Sequence, residues 1–443
     1  MSTVSNYYYS PSTITRLLHK AVETVGAIIG CYCKSPGIDF TRKRKISFSD
    51  IVFMLMERSD RGLNSVISTY YPTADQMPSP SAFSQRRELV YPDALRRIMR
   101  LFTDSMNNLK TYHGYTLLAC DGSDINTPYN PYDTETFHQC KDGSRGYNQL
   151  HLNALYDVMN HVIQDVISDT HEKKNESKSL EQMIIDRNYP AKSIIIADRG
   201  YEKYNLFALC IEQSQYFLIR VKDITSNGIL STISFEEYED EFDIDIVRTL
   251  TRKQTKEVKD NPDRYVRIMT SSPDFEFLPI DEDYYVLPLR VIRFKLTDDT
   301  YECLITNLDR DEFPFKVMKE LYHLRRNEEQ GFKDLKYTLS MTNLCSTKQR
   351  LIRQEIYATL ILHNYARFIA NNTYDDSSKG KKLNFKTTVT LTREFLKGIE
   401  SEKEMIKKLK KFLIPIRPGR SFERRMRPKS AIPLATKAAL CVL

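Results

Sequence analysis

The hydrophobic pattern divides the chain into a helical first part and an alternating second part. Between residues 11 and 110, apolar positions recur at helical spacing, as in ITRLLHKAVETVGAII. Two serines mark helix starts: Ser47 leads into FSDIVFMLMER, and Ser79 is followed by Pro80. We therefore predict several short helices over this first part of the chain.

From residue 115 onward the chain alternates between strand-like and helix-like segments. YTLLAC and KSIIIA are apolar strand runs, and they end at Asp121 and Asp198. NQLHLNALYDV and HVIQDVIS predict a long hairpin over residues 148–168, whereas SLEQMIIDRNY and YEKYNLFALCIEQ predict helices. YFLIRV predicts one more strand. This alternation is typical of an α/β core.

The residue pattern changes again after the α/β segments. Short runs rich in Thr, Val, Ile and Tyr between residues 223 and 300 predict an antiparallel β unit inserted into the core. Pro314 then opens a predicted long helix over residues 315–337. The pattern predicts five segments: a helical segment over 1–110, a first α/β part over 111–222, a β insertion over 223–300, a second α/β part over 301–372, and a linker with a basic region over 373–443.

Composition narrows the class of protein. The chain has 443 residues, of which 41% are hydrophobic and 28% are charged, as is ordinary for a globular protein. It lacks an apolar run near the roughly 20 residues that span a membrane, and its first residues lack a secretory signal. Eight scattered cysteines without a C-x-x-C pair predict reduced thiols. We expect a cytoplasmic protein with no membrane partner.

The distribution of charge along the chain indicates more about binding partners than the net charge of +7 does. Residues 401–443 carry +9 and residues 1–110 carry +6, which leaves −8 for the middle of the chain. Basic ends around an acidic middle favour binding to a polyanion, although a solubilising tail is the alternative. The helix that starts at Ser79 displays Arg86 and Arg87, and it would suit a helix lying on DNA. A solvated polar face explains that helix equally well.

Two sets of residues are candidates for chemistry. Asp121 and Asp198 each follow a predicted core strand. Hard cations require converging carboxylates. Either aspartate alone is explained as a loop residue or a helix cap. On the predicted helix 315–337, four polar residues have offsets of 0, 3, 7 and 14 and share one face. An exposed salt-bridged face is the alternative for that stripe. Its members are Tyr322, Arg325, Glu329 and Lys336.

This stripe carries a resemblance. The spacing Y-x-x-R-x-x-x-E-x-x-x-x-x-x-K, read as YHLRRNEEQGFKDLK, is similar to the signature of the insertion-sequence-four family of DDE transposases. It lies downstream of DGSD and ADRGY, in the order which that family shows. The resemblance covers roughly residues 80–430. It implies an RNase H-like catalytic core interrupted by a β-rich insertion, with a helical N-terminal DNA-binding domain and a basic helical C-terminal region.

The resemblance also implies roles for the candidate residues. Asp121, Asp198 and Glu329 correspond to the catalytic triad that binds two Mg²⁺ ions, for which Mn²⁺ is expected to substitute. The remaining stripe residues correspond to those that hold phosphates around the cut DNA end. Some family members stack a flipped base on a tryptophan, and this chain has none, so a tyrosine or phenylalanine would have to replace it. Asp124 and Glu328 are near-neighbour alternatives to Asp121 and Glu329.

The function that the resemblance implies is transposition of a bacterial insertion sequence. Such an enzyme cleaves the element's ends by two-metal phosphoryl transfer, in this family through a hairpin intermediate, and joins them to target DNA. Its partners are the double-stranded terminal inverted repeats, the target DNA and a second copy in a homodimeric synaptic complex, at the bacterial nucleoid. An RNase H-like nuclease without strand transfer and a non-catalytic DNA-binding descendant are the alternatives.

Overall fold

A computed structural model describes most of the chain in a mixed α/β fold. It describes residues 9–58, 61–107, 109–140, 143, 145–170, 174–269, 275–298, 300–325, 331, 334–339, 341, 344–374 and 380–416. In this part of the chain, no helix has both the length and the apolar character needed to cross a membrane.

Helices occupy the beginning and the end of the described chain and flank the central strands. The helices are α1 Pro11–Ala27, α2 Phe48–Glu57, α3 Leu63–Tyr70, α4 Pro80–Arg87, α5 Asp93–Asp104, α6 Glu176–Ile185, α7 Tyr204–Glu212, α8 Lys256–Asp260, α9 Phe315–His323, α10 Gln349–Thr373, α11 Phe385–Leu396 and α12 Glu402–Lys411. The strands are β1 Thr116–Thr127, β2 Phe137–His138, β3 Tyr147–Asp157, β4 Val162–Thr170, β5 Ser193–Ala197, β6 Tyr216–Val221, β7 Phe242–Thr251, β8 Tyr265–Arg267, β9 Tyr284–Thr297, β10 Thr300–Thr306, β11 Lys381–Leu383 and β12 Leu413–Pro415.

One large mixed sheet organises the molecule. Among the described residues it contains ten strands in the order β2-β3-β1-β5-β6-β10-β9-β7-β8, and β4 also pairs with β3. β1, β3 and β4 are antiparallel neighbours, whereas β5 runs parallel to both β1 and β6. The predicted hairpin is therefore confirmed as β3 and β4, and the predicted α/β alternation is confirmed by β5, α7 and β6.

The strands of the 223–300 segment extend this same sheet. β9 pairs antiparallel with β10, and β7 pairs antiparallel with β9. The predicted β-rich character of this segment is confirmed. Its strands do not form a sheet of their own, because β10 connects them edge to edge with β6.

Two hydrophobic cores lie on opposite faces of the sheet. Successive side chains of a strand point to opposite faces of the sheet, and those of β1 do so. Leu117 and Ala119 pack in the core with the N-terminal helices and α10, whereas Leu118 and Cys120 pack in the core with α6 and α7. β5 alternates in the same way. Both faces are covered, so these strands read as nearly continuous apolar runs.

The predicted helix starts are confirmed by their caps. Ser47 accepts a hydrogen bond from the backbone N–H of Asp50, and the Asp50 carboxylate accepts one from Ser47 in return. Ser79 accepts from the backbone N–H of Ala82 at the start of α4, with Pro80 in the first turn. These bonds, which are reciprocal at Ser47, satisfy donors that the helix itself cannot pair.

The predicted uninterrupted helix over 315–337 is wrong within the described residues. α9 ends at His323, and Asp334–Thr338 forms a π-helical turn. Glu329 lies outside the described residues. The four stripe residues share one face only on a single continuous α-helix, which the end of α9 at His323 excludes.

The expected DNA-facing role of Arg87 is also wrong for this fold. Its side chain is 1% exposed, and its Nη2 lies 3.0 Å from Oε1 of Glu355 on α10. Arg58 pairs with the same Glu355 oxygen at 3.1 Å. The sequence shows that α4 has polar residues, but it does not show that the partner of Arg87 lies 268 residues away along the chain. Arg87 therefore holds α4 against α10 and presents no charge at the surface.

We predict that Arg87→Ala lowers the free energy of unfolding by about 3 kcal/mol. Without Arg87, the buried carboxylate of Glu355 loses one of its ion-pair partners, and Arg58 offsets only part of that cost. Urea unfolding followed by circular dichroism measures the change. Arg86→Ala on the same helix is the matched control, with an expected change below about 1 kcal/mol. An Arg87→Ala protein of unchanged stability and weakened DNA binding would contradict this assignment.

Candidate active site

The centre of the candidate site is the point where β1 and β5 stop pairing. Cys120 and Ala197 are the last partners in this parallel pair. Asp121 and Asp198 follow them directly, on strands that lie about 4.8 Å apart. β1 does not end at Asp121, as the sequence suggested, because it continues to Thr127 in its pairing with β3. The two carboxylates nevertheless meet at the same edge, where β5 turns away.

Local hydrogen bonds fix both carboxylates. Oδ1 of Asp121 accepts from the backbone N–H of Gly122 at 2.9 Å, and Oδ1 of Asp198 accepts from the N–H of Gly200 at 2.8 Å. Both side chains are half-buried. Burial raises the pKa of Asp121, and the negative charge of Asp198 raises it further against the opposing effect of Arg325. A carboxylate in such surroundings gains from a bound cation, which removes the repulsion.

Arg325 lies two residues beyond the end of α9, and its charge acts on Asp121. Its guanidinium carbon lies 5.8 Å from the centre of the Tyr322 ring. Tyr322 is 4% exposed, and burial raises the pKa of its hydroxyl. Of the four stripe residues, Arg325 thus lies near enough to affect the pKa of Asp121, and Tyr322 lies beside Arg325.

The other two stripe residues are less fully described. Glu329 lies outside the described residues. The backbone of Lys336 lies in the π-helical turn Asp334–Thr338, and its side chain is outside the description.

Sequence reasoning missed a bridge of three side chains next to Asp121. His151 on β3 is 2% exposed, and its Nδ1 lies 2.7 Å from Oδ1 of Asp124. Its Nε2 lies 3.1 Å from Oε1 of Glu176, at the start of α6. We call these residues the Asp124–His151–Glu176 bridge. Asp124 entered the sequence analysis only as an alternative to Asp121, and the spacing of the other two gave no signal.

The chemistry of the site suits a divalent cation. Two carboxylates on adjacent strands are the oxygen ligands that Mg²⁺ prefers. In the described part of the chain, no group of three or more Asp, Glu, His or Cys side chains forms a ready-made metal cluster. Asp121 and Asp198 could supply two ligands, and a third carboxylate would have to come from elsewhere.

Basic side chains lie on the N-terminal helical part. Arg86 is half-buried, with its guanidinium carbon 3.8 Å from the centre of the Phe40 ring. Four consecutive basic residues, 42–45, are exposed in the loop before α2. The charge of Arg44 acts on Arg86, which places this run beside α4. The run was visible as a charge cluster in the sequence, but it was not singled out there.

Comparison with known proteins decides the family. The model of the transposase DDE domain matches residues 112–365, which is more than half of the chain. The chain belongs to the DDE transposase family. Members of this family cleave DNA and transfer its strands, and they use divalent metal ions. The matched range contains Asp121, Asp198 and Glu329.

The relatives of this DDE transposase are distant. It is 23% identical over 345 residues to transposase InsG of insertion sequence element IS4 from Escherichia coli strain K12, covering 74% of this chain and 70% of that one. A structure of the piggyBac transposase synaptic complex with hairpin DNA matches with a TM-score of 0.43 and 13% identity, over 95% of this chain and 89% of that chain.

A close contact constrains the segment of this transposase that follows Glu329. A Cβ atom added at Gly331 would lie 2.6 Å from Cε2 and 2.8 Å from Cζ of Tyr156 on β3. Real Cβ atoms do not approach ring carbons that closely. Tyr156 is itself buried, so its ring has little room to yield. Only glycine lets the backbone at 331 pack directly on this ring.

We predict that Gly331→Ala lowers the rate of DNA cleavage by about 100-fold, because it displaces the segment that includes Glu329 by a fraction of an ångström or more. DNA binding should stay within about twofold. Cleavage of a labelled terminal repeat measures the rate, and gel shift measures binding. The double variant with Tyr156→Leu removes the ring and should recover part of the rate. Wild-type cleavage by Gly331→Ala would contradict the close-packing argument.

Proposed function

We propose that this transposase binds the ends of an insertion sequence, cleaves them by phosphoryl transfer with two Mg²⁺ ions, and joins them to target DNA. The observation that carries the proposal is the position of Asp121 and Asp198, on adjacent strands where β1 and β5 part, with the charge of Arg325 acting on Asp121. Glu329 is the third carboxylate of the proposed triad. Mn²⁺ should substitute for Mg²⁺.

Strand order supports an RNase H-like catalytic core. Strands β4-β3-β1-β5-β6 combine three antiparallel strands with two parallel ones. The β-rich segment falls between Asp198 and Glu329, where the resemblance expects an insertion. We propose the boundaries given from the sequence, with the catalytic core over 111–222 and 301–372 and a helical DNA-binding part over 1–110.

The proposed reaction needs no covalent bond between protein and DNA. Bound metal ions would supply activation of water and stabilisation of the leaving oxygen. The carboxylates of Asp121, Asp198 and Glu329 would supply the negative charge that binds these metal ions at the cleavage point. Water first cuts one strand, and the freed 3′-hydroxyl attacks the opposite strand to give a hairpin. Water reopens the hairpin, and the 3′-hydroxyl then attacks target DNA.

Cationic side chains would hold the DNA around the cut. Arg325 approaches Asp121 and can bind a phosphate next to the cleaved bond, with Tyr322 packed behind it. Lys336 would hold a second phosphate. Arg86 and the exposed basic run 42–45 would contact the backbone of the terminal repeat further away.

The partners follow from this chemistry. Two ends must be cut and joined together, so we propose a homodimer in the synaptic complex with double-stranded terminal repeats and target DNA. The place of action would be the bacterial nucleoid in the cytoplasm.

We predict that Asp121→Asn, Asp198→Asn and Glu329→Gln each abolish cleavage and leave DNA binding nearly intact. Each change removes one negative charge from the proposed metal site and little volume. Cleavage of the element's own ends, with and without Mg²⁺, tests the triad. Glu328→Gln, the neighbouring charge removal, should retain activity. Full activity in any of the three variants would exclude that residue. Cleavage by the wild type without joining of pre-cut ends would indicate a nuclease.

We predict that Arg325→Ala and Lys336→Ala slow hairpin formation and opening more than the first nick. Those steps need the strand end held in a distorted shape, and each lost charged hydrogen bond costs about 1.5–3 kcal/mol, or roughly 10- to 150-fold. Separate measurement of nick, hairpin and strand-transfer rates decides this. Equal slowing of all three steps would mean general DNA binding, and unchanged rates would remove both residues from the site.

A further inference from the structure

We propose that the Asp124–His151–Glu176 bridge is a positioning device behind the catalytic carboxylates, which sets the spacing at which Asp121 and Asp198 bind a divalent cation. The proposal rests on the proposed function of that pair. It assigns a role to three side chains that are not part of the triad or of the phosphate grip.

The bridge lies on the opposite face of β1 from Asp121. Cys120 packs in the core that contains α6 and α7, whereas Ala119 packs in the other core. Alternation along β1 therefore directs position 122 and Asp124 toward the α6 side, and directs Asp121 toward the other side. Glu176 begins α6. The bridge thus contacts β1 from the face opposite to Asp121.

Glu176 packs against two glycines, one directly after Asp121 and one two residues after Asp198. A Cβ atom at Gly122 would lie 2.5 Å from Oε1 of Glu176 and 2.5 Å from Nε2 of His151. A Cβ atom at Gly200 would lie 3.3 Å from the other oxygen of Glu176. One carboxylate therefore touches the backbone of β1 beside Asp121 and the turn after Asp198. A shift of Glu176 would change the distance between those two backbone positions.

Buried contacts hold Glu176 in this place. Its backbone carbonyl accepts a hydrogen bond at 2.7 Å from Nδ2 of Asn153, which is fully buried. Oδ1 of Asn153 accepts from the hydroxyl of Tyr201 at 2.7 Å, in the turn that follows Asp198. Asn153 is the β3 partner of Gly122. The start of α6, the turn after β5 and the strand β1 are thus connected through one amide.

Two basic side chains contact the carboxylates of the bridge. Burial alone would lower the pKa of His151, but its contacts with Asp124 and Glu176 raise the pKa above its ordinary value. The contact with His151 in turn lowers the pKa of Glu176. Lys174 Nζ lies 3.4 Å from Glu176 and 3.8 Å from Asp124. Each carboxylate of the bridge thus has basic partners of its own, which hold it in place beside β1.

Binding of Mn²⁺ to the full-length protein, measured by electron paramagnetic resonance, tests the proposal without any need for catalysis. We expect Glu176→Gln to bind Mn²⁺ about 10- to 100-fold more weakly, as for other residues that orient metal ligands. Asp124→Asn should weaken binding in the same direction by a smaller factor. Glu181→Gln removes the same charge from α6 about 7.5 Å further along its axis, and it should bind Mn²⁺ like the wild type.

Thermal unfolding and gel shift accompany the titration. Unchanged Mn²⁺ affinity in Glu176→Gln would overturn the proposal, as would an equal loss in Glu181→Gln, which would indicate a general effect of charge. If Glu176→Gln fails to fold, the Asp124→Asn variant is used in its place, because Asp124 is half-exposed. A folded Asp124→Asn protein that binds Mn²⁺ as tightly as the wild type would overturn the positioning role.

Asp121→Asn separates this proposal from the function on which it rests. Weak Mn²⁺ binding by Asp121→Asn with normal binding by Glu176→Gln would refute the bridge alone. Equal binding by Asp121→Asn and the wild type would refute the proposed metal site, and the bridge would fall with it.

Discussion

The end of pairing between β1 and β5 is the constraint on which the candidate site depends. Parallel strands bring their carboxyl ends to one edge of the sheet, and the pair Cys120 and Ala197 marks that edge. β1 can continue past it only because β3 still pairs with β1 on the other side. Asp121 therefore lies within a strand while Asp198 begins a turn, and the register of β1 and β5 places both residues at the same edge.

Burial and charge give this edge its chemical character. The two hydrophobic cores exclude water from both faces of β1 and β5 and leave the carboxylates at the rim. Burial raises the pKa of Asp121, the charges of Asp198 and Glu176 raise it further, and Arg325 opposes that rise. A divalent cation would relieve the repulsion, and a phosphate would complement Arg325. In the proposed function, the same few side chains therefore bind both the metal ion and the DNA.

Sequence alone predicted the parts of this site that depend on local pattern. Asp121 and Asp198 could be singled out because each follows an apolar run of residues, and the hairpin and helix caps could be found because their signals are local. Arg87 was misjudged because a polar residue on a short helix gives no sign of a partner such as Glu355, far along the chain. His151 and Glu176 were missed because only the antiparallel register of β3 and the packing of α6 bring them together. The long helix failed because side-chain spacing does not reveal where a helix ends.

The central claim is that Asp121 and Asp198 jointly bind the catalytic cation. The most direct measurement is a crystal structure of the protein with a DNA end and Mn²⁺, with the ion located by its anomalous scattering. The account predicts an anomalous peak between the Asp121 and Asp198 carboxylates, with oxygen ligands at about 2.0–2.3 Å. A Mn²⁺ ion bound instead between Asp124 and Glu176, or no ion at the edge of β1 and β5, would contradict it.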